Sequence, residues 1–346
     1  MATIVDPPGR TAGVGGGTFD RPVLRENLWQ VTDGAPTAFV ETVDGCFEVA
    51  TAQALAFLRI RPHCTPHNDI AEIAVRSGAA VTEVAAMLAA LDGIGLIADR
   101  TAPGPAPDNV AVLDRLERLI ALWAGELARD FIGNALAEEA LPRAVLVGWL
   151  LETYHYVRDF PEAIAVAAHA APEGALKSLL ARYAAEERGH ERFVLAALGN
   201  LGLSPAEVTA SRPLVATRLI GLLMRELFEA APAAALLMAA MVEAQDVPEA
   251  EIQAFQAEVE ARYALPLAAL APYFEHQAID AQLGHQRLFA DHRALIDTGD
   301  AAALDWMVDK LHDLKHAFDL QTIEIKRYYG GLGAYVPRQP MRLAAL

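Results

Sequence analysis

From residue 109 onward, apolar residues recur at helical spacing almost without interruption, rich in alanine and leucine. A pattern of this period leaves little room for anything but helices packed on helices. Prolines 142, 161, 172, 205, 213, 232 and 248 punctuate it. A proline inside a helical pattern ends or kinks the helix before it, so we read helices near 109–132, 135–159, 161–171, 173–201, 213–230, 232–246, 249–264, 267–297 and 300–329. That is more than a minimal four-helix bundle holds, and it fits a compact all-α domain.

The apolar runs, such as LIGLLM and AAALLMAAMV, are shorter than the roughly 20 residues of a membrane span. No apolar core of signal-peptide type stands in residues 1–20, which read as a flexible lead-in containing GVGGGT. A soluble, cytoplasmic protein with no membrane partner is expected. The net charge of −17 argues against a nucleic-acid or anionic-lipid surface. Cys46 and Cys64 form neither a metal motif nor a disulfide framework.

RTAPGPAPD, residues 100–108, is a Pro/Gly/Ala linker, giving domains at 21–99 and 109–346. In the first, NLWQVT, AFVETV and CFEVA read as strands, with the turn Asp44-Gly45 between the last two. Three short helices follow, with Thr51, Asn68 and Thr82 as N-caps, and GLIAD returns as a strand. This is a small winged-helix α+β unit. Residues 1–100 carry 7 Lys+Arg against 12 Asp+Glu, and the third helix has Glu83 and Asp92 but no basic residue. Binding to DNA requires neutralising phosphates, so a DNA-reading role is disfavoured. The opening RPVL, the strands, F-x-V-x-x-x-x-A-x-x-F-L, then D-I-A-x-I and V-x-E-V-x-x-M-L resemble the pyrroloquinoline-quinone biosynthesis protein D family. Arg61-Pro62-His63 stands where that family has an acidic-glycine turn. The resemblance implies a domain that binds the leader of a ribosomally made peptide; a structural or dimerising unit is the alternative.

Ionisable groups interrupt the apolar helices of the second domain, and burial without partners costs several kcal/mol each. In LLARYAAEERGHERFVLAALGNLG, Glu187 and His190 lie about 60° apart on a helix. Glu-x-x-His can give one metal ion both a carboxylate and an imidazole. Glu186 is the alternative to Glu187. In LAPYFEHQAIDAQLGHQRLF, His276 and Asp280 share a face, about 40° apart. Glu243 follows a long apolar run.

Together Glu187, His190, Glu243, His276 and Asp280 resemble the ligand set of the heme-oxygenase-like di-metal oxidases, all-helical enzymes that use iron and dioxygen. The family's sixth ligand would fall at Leu283. His285 lies two residues further, about 140° from Asp280 on a regular helix, and a π-bulge at Gly284 would bring it round. The resemblance implies Fe(II), one or two ions, with manganese as a substitute, and an oxidase acting on a peptide or amino-acid-derived substrate. Glu152 and His155 in LLETYHYVRDFP form a second Glu-x-x-His, read here with Tyr154, Tyr156 and Tyr183 as pocket groups. The alternatives are a ferritin-like di-iron protein, a cofactor-free oxidase like the quinone-biosynthesis protein C, and a binding protein whose metal site has decayed. A homodimer is compatible with the Ala-rich helices.

Overall fold

A computed structural model describes residues 21–98, 108–243, 249–266, 268–331, 338–341 and 343. The chain divides into two compact units, Met1–Leu122 and Trp123–Leu346. The expected lead-in at 1–20 and nearly all of the expected linker at 100–108 lie outside the described residues.

In the first unit, β2 (Asn27–Gln30), β3 (Thr37–Thr42) and β4 (Gly45–Ala50) form an antiparallel sheet in that order. The strands β1 (Val23–Leu24) and β5 (Ile97–Ala98) make a separate antiparallel pair, so GLIAD does return as a strand. Residues alternate along β3: Ala38 and Val40 are buried, whereas Phe39 faces out. Helices α1 (Thr51–Ile60), α2 (Ile70–Ser77) and α3 (Val81–Gly93) cover a core that includes Phe57, Ile73, Val84 and Leu88.

The expected caps differ from the observed ones. Asp69, not Asn68, caps α2: it accepts from the Glu72 amide at 2.8 Å, and Glu72 accepts from the Asp69 amide at 2.8 Å. Asn68 instead donates to the His63 carbonyl and holds the preceding turn. Thr82 lies inside α3, whose N-cap is Ala80. Thr51 is already helical, and its hydroxyl donates to the Ala35 carbonyl.

The second unit is all helical. It contains the end of α4 (Asn109–Arg129), then α5 (Ile132–Glu138), α6 (Arg143–Ala170), α7 (Ala175–Glu186), α8 (Glu191–Asn200), α9 (Pro205–Ala210) and α10 (Val215–Ala230). After these come α11 (Ala234–Val242), α12 (Glu249–Arg262), α13 (Ala271–Leu283), α14 (Leu288–His292) and α15 (Ala301–Gly330). The central element is α6, which packs against α7, α8, α10 and α15.

Several helix boundaries depart from the sequence reading. The single helix expected over 135–159 is two: α5 ends at Glu138, and α6 begins at Arg143 with Pro142 as its N-cap. Pro161 does not end a helix: α6 runs through it, with Phe160, Pro161, Ala163 and Ile164 all buried. Packing on both sides outweighs the hydrogen bond that proline removes. The single helix expected over 173–201 is broken at residues 187–190, where Gly189 takes φ +88°. The helix expected over 267–297 ends at Leu283, because Gly284 takes φ +73°. Close packing of α6 on α15 also depends on a glycine: a Cβ at Gly148 would fall 2.2 Å from the Tyr329 ring. Among the described residues no single helix is long and apolar enough to cross a membrane.

Candidate metal centre

The two breaks in the helices are where the ionisable groups gather. Glu187 follows the last residue of α7, and His190 precedes the first residue of α8. The motif therefore sits on a turn, not on one helix face, and the tight path through Gly189 brings both side chains inward. His276 and Asp280 lie on α13 as expected, one turn apart. Glu243 ends α11 in extended backbone. Gly284 is left-handed, so His285 opens a short 3₁₀ turn instead of continuing α13. No π-bulge is involved; the break itself turns His285 inward, while Leu283 is 40% exposed.

All six residues come together in two groups: His190, His276 and Asp280, and Glu187, Glu243 and His285. Within each group the ligand-type atoms lie within 4.8 Å of one another. His190 Nδ1 is 3.0 Å from Asp280 Oδ1 and 3.4 Å from Glu187 Oε2. His276 Nε2 is 3.2 Å from Asp280 Oδ2. His285 Nδ1 is 2.8 Å from Glu187 Oε1, so Glu187 touches both groups. Tyr183 donates from its hydroxyl to Glu243, and its ring lies 4.4 Å from that of His285.

These groups fit metal ions. Glu187, His190, His276, Asp280 and His285 are all buried. Yet Glu187 Oε1, His190 Nδ1, His276 Nε2, Asp280 Oδ1 and His285 Nδ1 make no hydrogen bond of proper geometry. Buried polar atoms are almost always satisfied. Atoms that crowd together without bonding one another converge on common points between them, as ligands of a cation do. The outer nitrogen of His285 meets Glu186 Oε2 at 3.0 Å. Glu186, the alternative to Glu187, is thus the carboxylate that orients an imidazole from behind, as such partners do at metal sites.

Without cations, protons hold the charges together. The Asp280 and then the Glu187 carboxylate close to its ring raise His190 to about 10. Burial works to lower His285, but Glu187 and Glu186 raise it to about 9. Burial would raise Glu187, yet His190 and His285 keep its carboxyl below the ordinary range. Burial, with Glu187 and Asp280 nearby, pushes Glu243 up to about 8. Burial lowers His276.

A cavity of about 380 Å³ opens onto both groups through Glu187, Glu243, His276 and Asp280. Its walls are largely apolar and aromatic, with Trp149, Tyr156, Phe160, Tyr273 and Phe318 among them, and it lies in the size range of small-molecule sites. The described lining contains no Lys or Arg. Asp319, Gln321 and Thr322 of α15 supply polar groups that the sequence did not single out, since nothing in their spacing marks them.

Glu152 and His155 do not line this cavity, contrary to expectation; Thr153, Tyr156 and Val157 present that face of α6. Glu152 is a fully buried structural acceptor, bonded by the Leu214 amide and the Tyr329 hydroxyl at 2.8 Å each. His155 turns to Ser211 instead, at 2.9 Å. Tyr154 packs in the core, and among the expected pocket tyrosines Tyr156 forms part of the cavity wall.

The helical unit and its paired carboxylate–imidazole groups define a heme-oxygenase-like all-α domain preceded by a small α+β unit. A solved domain of unknown function with a heme oxygenase-like fold, from Shewanella denitrificans OS217, is similar at 18% identity and TM-score 0.51, covering 65% of this chain and 98% of that one. Residues 147–317 match the model of a family described as iron-containing redox enzyme. TenA homologues from P. horikoshii OT3 (15% identity, TM-score 0.44, 62% of this chain and 98% of that one) and from Pseudomonas syringae pv. tomato DC3000 (14%, 0.45, 66% and 99%) are more distant in structure. No curated protein matches the chain in sequence.

Proposed function

We propose that the chain is a non-heme, iron-dependent oxidoreductase that uses dioxygen to oxidise a peptide or amino-acid-derived substrate in the biosynthesis of ribosomally made natural products. The observation that carries this reading is the pair of three-residue groups on the wall of one apolar cavity. Each group supplies carboxylate and imidazole, a donor set that suits iron or manganese. Bound iron would supply the electrons that dioxygen needs.

The chain's own residues do the rest. His190, His276 and Asp280 would hold one ion, and Glu187, Glu243 and His285 the other. Glu187, in contact with both groups, would set their spacing. Tyr183 fixes Glu243, which no helix holds, and Glu186 fixes the His285 ring. The aromatic walls would offer an apolar surface against which a substrate could pack beside the two groups. A cofactor-free oxidase would need cations to hold an anionic quinone precursor, and the described cavity lining offers none.

The first unit would bring the substrate. Strands β2 and β4 are the edges of its sheet, and an extended leader peptide can add to such an edge as a further strand. Carriage on the same chain would raise the effective concentration of substrate at the cavity.

The test is anaerobic loading with ferrous iron, desalting, iron analysis and then exposure to dioxygen, with His276→Ala alongside. Near two irons per chain and oxygen uptake lost in the variant support the reading. Wild-type iron no higher than that carried through desalting by a protein that binds no iron rules it out.

A further inference from the structure

A second pocket, of about 170 Å³, lies between α6 and α10, and Tyr156 contributes to its wall as well as to that of the main cavity. Its electrostatics are opposite. Arg218 and Arg225 both face it from α10, two helical turns apart. The chain as a whole is acidic, with 45 acidic residues against 28 basic ones, so two arginines on one pocket wall stand against its overall charge. Neither Arg218 nor Arg225 pairs with a carboxylate among the described residues. The one acid in the wall, Asp159, is already matched by Arg158 at 2.8 Å.

Behind the guanidinium groups lies His155, 1% exposed. Its tautomer is fixed by a neighbour. Ser211 donates its hydroxyl proton to the Val208 carbonyl at 2.6 Å, so its oxygen must accept from His155 Nε2 at 2.9 Å. Nδ1 is then a bare acceptor, and it is buried without any donor. Burial, then Arg158, lowers the ring to about 4, which keeps it neutral. A buried acceptor left unsatisfied is costly, and a ligand that supplies the donor removes that cost.

We propose that this pocket binds a small hydroxycarboxylate, with carboxylate on Arg218 and Arg225 and the hydroxyl donating to His155 Nδ1. An ammonium in place of the hydroxyl would face the same two guanidinium groups and be repelled. Guanidinium–carboxylate pairing supplies the orientation as well as the attraction. The site needs no metal and stands apart from the redox reading.

The experiment uses the metal-free full chain at constant ionic strength, titrated calorimetrically with malate and with succinate, which lacks the hydroxyl. Malate is expected to bind saturably and about tenfold more tightly than succinate, and to shift the His155 Nδ1 resonance. The exposed double variant Arg218→Gln/Arg225→Gln is expected to keep its melting temperature and to weaken malate binding at least tenfold. Arg218→Lys should keep part of the affinity that Arg218→Gln loses. Absence of saturable binding, equal binding of malate and succinate, or an unaffected double variant would each overturn the assignment.

Discussion

His285 Nδ1 lies 2.8 Å from Glu187 Oε1, joining the turn after α13 to the one after α7. Glu187 turns its other oxygen toward His190, 3.4 Å away, so one carboxylate links the two groups. The groups nevertheless have separate members, and that separation can be measured. His285→Ala should leave the His190–His276–Asp280 group able to bind, and His276→Ala the Glu187–Glu243–His285 group. Each variant is expected to retain about half the wild-type metal after desalting, by elemental analysis. Complete loss in both would mean that neither group binds alone.

Gly284→Ala tests the device that delivers His285. At φ +73° an alanine costs about 1 kcal/mol, and its Cβ would meet the Arg287 guanidinium at 3.3 Å. Chemical denaturation should show a loss of about that size, with weakened metal binding at the His285 group. An unchanged metal affinity would show that the left-handed turn does not place His285.

Tyr183→Phe keeps a buried ring against His285 while removing the hydroxyl that Glu243 accepts from. Partners of this kind typically contribute 10- to 100-fold in metal affinity. Metal titration should show one site weakened by about tenfold and the other unchanged, with the same unfolding midpoint. Equal weakening of both sites would place the role of Tyr183 in packing.

His155 gives a pH signature unconnected with metal. Burial lowers it from 6.5 to about 4, so folding favours the neutral ring. That contribution to stability is complete above pH 6.5 and is lost as the pH falls towards 4. Urea unfolding followed from pH 7 to pH 4 should therefore show a decline that is shallower in His155→Gln. Identical slopes would remove His155 as the cause.

The sequence makes the helical unit legible because its period is strong, and it makes the ligand residues legible because carboxylates and imidazoles in apolar stretches demand partners. The backbone that carries them was harder to read. The spacing of Glu187 and His190 places them on one helix face, yet they sit on a turn through the left-handed Gly189. A regular helix would point His285 away from Asp280, but the helix ends at Leu283 and Gly284 caps it. Glycine marks both places in the sequence, but whether it ends a helix or continues it is decided by the packing around it. Pro161 is the converse: a strong local breaker overruled by burial on either side. Glu152 and His155 copied the spacing of a ligand motif and turned out to serve Tyr329, Leu214 and Ser211, partners distant in sequence that no local pattern announces.

Of the four stretches that supply the two groups, only α13 carries its side chains mid-helix; the others are the turn at 187–190, the end of α11 and the turn after Gly284. Helix ends fray first, because their terminal backbone groups lack intrahelical partners. Cations bound there would act as rivets through loose ends. Amide protons around residues 187–190 and 284–287 should then exchange with solvent at rates set by metal occupancy, while those in the middle of α6 exchange at the pace of the whole domain.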